Sequence, residues 1–284
     1  MKRRSKKRMW VVLGVIGLII SIMIIYFNVP YSRLKGNFKD YLAQSEKYTD
    51  ANKKTSKYTF NDLPGCMQKF YKLTGLMDKA SSKHVSFEFK NADFVNAEMK
   101  KTLKIDYQEH IFADVPARFA FIDSSLFGIP FQGLDSFIEG RGGMKGVVAK
   151  NITLFNQRGK HMDKAALVTW LSEIIFMPSE LLNGQIEIKE LDKNSVAVSI
   201  EYDNLTAEGI YKFKDNGELA EFTTNDRAMI YNDGRIEYKK WSALYEEYTK
   251  KGELLLPDRL KAEWHLDNND LIYFDGSNVE YKFY

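Results

Sequence analysis

The sequence contains few of the residues that form disulfides or metal sites. Its 284 residues include one cysteine and four histidines. A single cysteine excludes an internal disulfide, so packing must stabilise the folded part of the chain. No histidine is spaced from the cysteine or from another histidine as zinc ligands are. His161 and Asp163 could supply two ligands, but Asp163 is better explained as the N-cap of a helix. We therefore predict no metal and no cofactor.

The familiar catalytic motifs are also missing. The chain has no Gly-x-Ser-x-Gly sequence, which argues against a serine hydrolase. Residues 140–146 include four glycines together with Arg141 and Lys145, but no Gly-Lys-Ser or Gly-Lys-Thr sequence follows them. This stretch is therefore more typical of a β-turn or bulge than of a phosphate-binding loop.

Charged side chains are absent from the nineteen residues between Met9 and Phe27. A helix of this length rises about 28 Å, enough to cross a membrane once. No small-x-small cleavage site follows the run, which favours a retained anchor over a cleaved secretory signal. Six basic residues precede the run, and four follow it in the next twenty residues, namely Arg33, Lys35, Lys39 and Lys47. We therefore predict a single-pass cell-membrane protein with a cytoplasmic amino terminus and its carboxy-terminal domain outside.

The positive charge of the chain belongs to its amino-terminal tail. The whole sequence has 41 basic and 38 acidic residues. Without the six basic residues of the tail, 35 basic residues remain against 38 acidic ones, a formal net charge of −3 for the rest. Nucleic-acid binding requires a basic face on the folded domain, so we predict no nucleic-acid partner.

Aromatic residues are abundant, and the spacing of apolar residues alternates. The chain has 39 Phe, Tyr and Trp residues but only six prolines, which is typical of a folded domain. Val85, Phe87 and Phe89 alternate with polar residues, which predicts a strand with one buried face. Further strands are predicted at 103–107, 118–122, 126–131, 146–155, 185–191, 195–203, 206–214, 218–224, 236–244, 262–266, 271–274 and 279–283.

One strong helix interrupts this pattern. Leu167, Trp170, Leu171, Ile174 and Ile175 form a single apolar stripe, and Pro178 ends the helix. The predicted fold class is mainly β (α+β), with a curved antiparallel sheet or half-barrel and one or two packed helices on its concave side.

Four segments follow from these patterns. Residues 1–8 are a cytoplasmic basic tail, 9–27 a transmembrane helix, 28–57 a polar stalk and 58–284 an extracytoplasmic β-rich domain. The stalk could be helical from Arg33 to Tyr48 or remain a flexible tether.

Three stretches of the chain resemble an uncharacterised family of bacterial membrane-anchored domains. They are Leu63-Pro64 through Thr74-Gly75, Gly140 to Asp163 continuing through Trp170 to Leu182, and Leu256-Pro257 through Trp264. The family pattern has a tryptophan where this chain has Phe176. The resemblance covers about residues 60 to 284 and implies fold and location, because the function of that family is unknown. More distantly, the order of strands and helices is similar to the half-barrel of LolA-type lipoprotein carriers.

Several residues are candidates for a binding site. Glu173 lies at the edge of the apolar helix stripe, where a buried carboxyl would have a raised pKa. It could instead face water or pair with an arginine, either Arg141 or Arg118. Residues 119–137 hold more apolar side chains than two alternating strands need, so they could line a pocket or a membrane-facing lip, with core packing as the simpler explanation. The predicted ligand-binding residues are Phe127, Phe131, Arg141, Trp170 and Glu173.

Three functions remain open at this point. The chain could bind a lipid or other apolar ligand without catalysis, with Phe127 and Trp170 retaining it. It could be an envelope protein–protein interaction or regulatory domain. It could also be an acid–base enzyme that uses Glu173 with Arg141. The absence of a catalytic set favours the first, and the predicted partners are the membrane, through Met9 to Phe27, and an apolar ligand or an envelope protein.

Overall fold

The computed structural model describes residues 2–51, 55–96, 101–126, 128–231, 233–267 and 269–284. The helices in these ranges are α1 (Lys2–Asn28), α2 (Arg33–Ala51), α3 (Gly65–Thr74), α4 (Lys160–Glu173) and α5 (Pro178–Leu182). Three short 3₁₀ turns lie at Phe60–Asp62, Leu76–Lys79 and Ile174–Phe176. Helix α1 is long and apolar enough to cross a membrane.

The strands are numbered in chain order. The first eight are β1 (His84–Asn96), β2 (Lys101–Phe112), β3 (Ala117–Leu126), β4 (Ile129–Ile138), β5 (Arg141–Val148), β6 (Ile152–Arg158), β7 (Ile186–Asp192) and β8 (Ser195–Tyr202). The others are β9 (Leu205–Phe213), β10 (Leu219–Thr224), β11 (Ala228–Ile230), β12 (Ile236–Tyr238), β13 (Trp241–Lys251), β14 (Leu254–Trp264), β15 (Leu271–Ser277) and β16 (Glu280–Phe283).

Fourteen of the described strands form one antiparallel sheet. Its order is β6-β5-β4-β3-β2-β1-β15-β14-β13-β10-β9-β8-β7, with β16 paired to β1 beside β15. The short strands β11 and β12 pair separately. The predicted fold class, a largely antiparallel curved sheet with a few packed helices, is confirmed.

Helix α4 lies inside the curve of this sheet. It packs on β5 near one edge and on β9 near the other, so the sheet wraps around it. Every residue from Met162 to Ser172 except Lys164 is buried, so the helix is enclosed on more sides than a single apolar stripe predicts. The hydroxyls of Tyr211 and Tyr245 donate to the carbonyls of Leu171 and Ser172, which the end of the helix leaves without intrahelical partners.

Helix α2 covers part of the opposite, convex face of the sheet. Leu34 and Phe38 are buried against β2, β3 and β4. The ring of Phe38 lies 5.6 Å from that of Phe121, and Tyr41 stacks on Phe119 at 5.3 Å. The segment predicted to be a stalk therefore includes a helix that packs on the sheet. This helix extends beyond the predicted residues 33–48 to Ala51.

This second layer explains the apolar surplus of residues 119–137. Phe119, Phe121 and Leu134 pack under α2, whereas Phe131 and Phe137 belong to the core around α4. Both faces of β3 and β4 are therefore apolar, a pattern that one-sided alternation does not predict.

Four local predictions differ from the structure. Residues 126–131 and 146–155 are each predicted to form one strand, but each contains the turn of a hairpin, β3–β4 and β5–β6. The single strand predicted at 236–244 is divided between β12 and β13, which lie in different sheets. The N-cap of α4 is Gly159, so the N-cap assignment of Asp163 is wrong. Asp163 instead lies in the first helical turn and accepts a hydrogen bond from the backbone N–H of Gly142 at 2.7 Å.

The glycine-rich stretch forms a turn, a strand and a bulge, as its composition indicated. Glu139 and Gly140 have positive φ values of 49° and 69°, and the register of β5 with β6 shifts at Gly146. Gly142 lies where a Cβ atom would be 2.4 Å from the carbonyl oxygen of Met162. Glycine at this position therefore lets β5 approach the first turn of α4.

Candidate functional site

A cavity of about 290 Å³ lies between α4 and the concave face of the sheet. Its wall comes from strands β1, β13, β14 and β15, whose inward side chains are large and mostly apolar. They include Phe89, Phe94, Trp241, Trp264, Tyr273 and Phe274. Helix α4 closes the other side with Met162, Ala165, Thr169 and Glu173. The cavity is thus an apolar space between elements that the fold already holds in place.

A buried charged cluster forms one part of the cavity wall. Arg118 extends inward from β3 and is surrounded by three carboxylates. Its Nε–H donates to Glu173 Oε2 at 2.9 Å, and Nη1 donates to Asp135 Oδ2 at 2.6 Å. Nη2 donates to the hydroxyl of Tyr107 at 2.8 Å, and Glu109 forms an ion pair with Nε. The cluster joins β2, β3 and β4 to the last residue of α4.

The cluster has more acidic groups than its arginine can neutralise. Three ionised carboxylates around one guanidinium would have a net charge of −2. Burial raises the pKa of Glu109 well above its usual range, against the opposing effect of Arg118, and Glu173 and Asp135 raise it further. Burial likewise raises the pKa of Glu173, although Arg118 opposes the shift. The cluster can therefore retain a proton at a pH at which exposed carboxyls are ionised.

Two carboxylate oxygens in this cluster accept no hydrogen bond. Glu109 Oε1 lies next to Arg118 Nε, but the Nε–H is directed at Glu173, so this contact is ionic only. Asp135 Oδ1 is also buried without a hydrogen-bond partner. Both oxygens are shielded within the cluster, so the carboxyl groups with partial exposure at the cavity wall are those of Asp135 and Glu173, at 20% and 16%.

Arg227 adds a second cation to the cavity wall. Its guanidinium lies 4.8 Å from the ring centroid of Trp241 and 5.2 Å from that of Trp264. Its Nε–H donates to Thr169 Oγ1 of α4 at 3.2 Å. The arginine therefore bridges the aromatic wall and the helix, and it gives the cavity a second polar region.

The structure separates the predicted site residues from one another. Glu173 lines the cavity, whereas Trp170 and Phe131 are buried in the core outside it. Arg141 is largely exposed and lies 3.6 Å from Asp163, so the arginine that pairs with Glu173 is Arg118. Phe127 lies outside the described residues. The ligand-binding role of these five residues stays a prediction.

Sequence reasoning missed most of the residues that build the site. Tyr107 and Glu109 follow Ile105 at alternate positions of β2. The signal was available, because an acidic residue on the apolar face of a strand must find a partner. Its partners come from β3, β4 and α4, and a local pattern could not have supplied them.

A separate polar cluster surrounds His265, near the end of β14. Its Nε2 lies 2.9 Å from Ser242 Oγ and 3.2 Å from Glu263 Oε1, and its Nδ1 lies 3.1 Å from Asp270 Oδ1. Ser242 is fully buried and donates to Glu221, so its hydroxyl is not available as a nucleophile. Glu263 and Asp270 contact opposite ring nitrogens and do not converge on one of them. The arrangement fits a hydrogen-bonded network better than a cation site.

The histidine that the sequence offered as a metal ligand has another partner. His161 Nδ1 lies 3.0 Å from the hydroxyl of Tyr238, and Asp163 is occupied by the backbone of Gly142. The pair therefore connects the start of α4 to Tyr238 of β12 and to Gly142 of β5.

Comparisons with known proteins give a family and several structural similarities. A domain assigned to outer membrane lipoprotein sorting in Vibrio parahaemolyticus is 9% identical, with a TM-score of 0.40 over 74% of this chain and 89% of that one. A DUF1329 family protein from Desulfovibrio piger is 11% identical, with a TM-score of 0.38 over 76% and 93%. A LolA superfamily protein from Nitrosomonas europaea is 10% identical, with a TM-score of 0.32 over 73% and 90%.

A comparison with curated protein sequences gave no match. Residues 53–276 match a family of unknown function, DUF6544. The predicted resemblance to an uncharacterised family is thereby confirmed, over nearly the range that the sequence motifs indicated. The chain belongs to the DUF6544 family.

Proposed function

We propose that this protein is a membrane-anchored domain that binds a small amphipathic molecule, apolar with one polar group, in the cavity between α4 and the sheet. One observation carries the proposal: an apolar, aromatic cavity ends in a charged cluster that lines it with the partly exposed carboxyl groups of Asp135 and Glu173. An apolar body would displace water from the aromatic wall, and a polar group would meet the carboxyl groups of Asp135 and Glu173.

The volume and the charge of the cavity limit the ligand. A space of about 290 Å³ lies just below the range of about 300–1,000 Å³ found for small-molecule sites. It suits one acyl chain or a compact apolar molecule better than a whole phospholipid. The excess of carboxylates favours a ligand group that donates hydrogen bonds or has positive charge.

The proposed location is the outer side of the cell membrane. Helix α1 supplies the anchor, and the basic residues before it favour a cytoplasmic amino terminus. The β-rich domain then lies outside the cytoplasm. A bound apolar molecule could come from the same membrane, because the anchor keeps the domain at its surface.

A second candidate function is an interaction with another envelope protein. A broad groove of about 970 Å³ lies beside the edge strand β7, lined by Ile188, Lys189, Ala197 and Ile210 among others. An edge strand offers unpaired backbone groups to an added strand. Crosslinking from residue 189 in intact cells should then capture one reproducible partner, and the absence of any enriched protein would count against this function.

Contact quenching of tryptophan tests the cavity directly. Trp241 and Trp264 line it, Trp170 lies in the core, and Trp10 lies in α1. In the full-length Trp10→Phe chain, a brominated single-chain amine should quench the emission of the cavity tryptophans. Ala262→Phe, which fills the cavity, should abolish the quenching. The matched control Ala197→Phe, on the outer groove, should retain it. Equal quenching in both variants would contradict binding in the cavity.

A further inference from the structure

The carboxy-terminal end of α1 is bound to the tip of the β5–β6 hairpin. Lys150 Nζ donates to the carbonyl oxygens of Tyr26 at 2.8 Å, Val29 at 2.5 Å and Tyr31 at 3.4 Å. The Lys150 side chain is buried, and its backbone has a positive φ of 66°. The ammonium group satisfies the Tyr26 carbonyl, which the end of α1 leaves without an intrahelical partner, as well as two carbonyls that follow the helix, and it complements the helix dipole. The hairpin tip is thus held next to the end of the membrane helix.

Three large apolar side chains next to this contact are exposed. They are Ile129 at 41%, Ile152 at 61% and Leu154 at 57% of full exposure. Ile152 follows directly after Asn151, whose side-chain amide donates to the Tyr26 hydroxyl. The N–H of Ala149 donates to the Pro130 carbonyl at 2.8 Å, which joins the β3–β4 hairpin to the β5–β6 hairpin. We call Ile129, Ile152 and Leu154 the apolar lip.

Exposure of the apolar lip to water is unfavourable. Strand β6 is an edge of the sheet, and exposed apolar residues on an edge strand favour aggregation unless something covers them. Single exposed apolar residues are ordinary on protein surfaces, but these three lie on two joined hairpins at one place.

We propose that the apolar lip inserts into the same bilayer that α1 crosses. The inference rests on the membrane anchor of the proposed function and not on the ligand cavity. Tyr26 is next to the last residue of the uncharged run, where tyrosine marks the membrane–water interface. Leu154 is three residues from Asn151, at most about 10 Å along an extended strand. The headgroup region is about 5–8 Å thick on each side, so the lip lies within reach of it.

The residues around the lip fit this partner. Arg33 is exposed and Lys35 half-buried at the start of α2, which follows α1 after four residues, and basic side chains at this position can pair with lipid phosphate groups. The lip then acts as a second contact that sets the orientation of the sheet on the membrane, in addition to the anchor.

Depth-dependent fluorescence quenching tests the lip in the full-length chain. Cys66 is buried, so Cys66→Ser gives a background for single cysteines. An environment-sensitive fluorophore is attached in turn to Ile129→Cys, Leu154→Cys, Ile20→Cys within α1, and Leu191→Cys. Leu191 is the matched control, because it is 48% exposed and lies in the groove with Lys57, beyond the far end of α2. The protein is reconstituted into vesicles of phosphatidylcholine with phosphatidylglycerol.

We expect lipid-borne nitroxides to quench the probes at residues 20, 129 and 154, and aqueous iodide to quench the probe at residue 191. If the probe at residue 20 is quenched by nitroxide while those at 129 and 154 behave like 191, the lip proposal is wrong and the anchor stands. If the probe at residue 20 is itself open to iodide and untouched by nitroxide, both the anchor and the lip are wrong.

Discussion

The Nε–H of Arg118 donates a hydrogen bond to Oε2 of Glu173 over 2.9 Å, which ties the start of β3 to the last residue of α4. A carboxylate at the end of a helix opposes the helix dipole, so Glu173 needs this partner. The pair lies in the charged part of the cavity wall, so stability and binding depend on the same side chains.

Replacing Arg118 by methionine should be severely destabilising. The substitution leaves Glu109, Asp135 and Glu173 buried without their cation, and breaking a buried ion pair costs about 3–5 kcal/mol. Urea unfolding of the full-length chain in detergent measures the loss. Arg141→Met is the control: Arg141 is 75% exposed, and the buried Asp163 keeps its hydrogen bond from Gly142, so stability should change by less than about 1 kcal/mol. Similar losses in both variants would mean that the buried cluster contributes no more to the free energy of unfolding than the Arg141–Asp163 pair does.

The cluster should make stability depend on pH. Because burial raises the folded-state pKa of Glu109 above its unfolded value, its contribution is complete below the unfolded pKa and is lost as the pH rises through the folded pKa. Glu109→Gln keeps the shape and removes the ionisation. Its unfolding free energy relative to the unsubstituted chain should therefore increase between pH 5 and pH 9. A difference that stays constant with pH would show that Glu109 is ionised in the folded protein over this whole pH range.

Helix α2 should be a stabilising part of the domain. Phe38 is 3% exposed and packs on Phe121, so Phe38→Ala should lower the free energy of unfolding by about 3–5 kcal/mol. Lys39→Ala, on the exposed side of the same helix, should change it by less than about 0.5 kcal/mol. Denaturant unfolding compares the two variants, and equal small effects would mean that α2 does not hold the sheet. A soluble fragment should accordingly keep α2 and begin near residue 31, because a start at residue 58 uncovers Phe119 and Phe121.

Lys150 should control how the domain sits at the membrane. Lys150→Met removes the donor for the carbonyls of Tyr26, Val29 and Tyr31 but keeps most of the apolar stem. Nitroxide quenching of a probe at residue 154 should then fall towards the value at residue 191, while quenching at residue 20 stays unchanged. Unchanged quenching at residue 154 would show that the hairpin contact does not position the lip.

Local patterns in the sequence were enough to predict the amino-terminal apolar helix and the sheet. The uncharged run predicts α1, and the alternation of Val85, Phe87 and Phe89 predicts β1, because each depends on neighbouring residues only. The helix at Trp170 was predicted for the same reason.

The features that were missed depend on contacts between distant residues. The apolar surplus at Phe119 and Phe121 has its explanation in α2, some eighty residues earlier in the chain. Arg118 meets Glu109, Asp135 and Glu173 only after four elements have assembled. Such a site depends on which distant residues come into contact and on how deeply they are buried. Neither property follows from the spacing of residues along the chain.

Solvent extraction tests the central claim most directly. Full-length protein, Ala262→Phe and Ala197→Phe are purified in the same mild detergent, washed extensively and extracted with organic solvent for mass spectrometry. The account predicts one reproducible amphipathic species, near one molecule per chain, in the unsubstituted protein and in Ala197→Phe, and its loss in Ala262→Phe. Extracts that match the detergent blank, or a species that Ala262→Phe retains in full, would contradict a ligand in the cavity between α4 and the sheet.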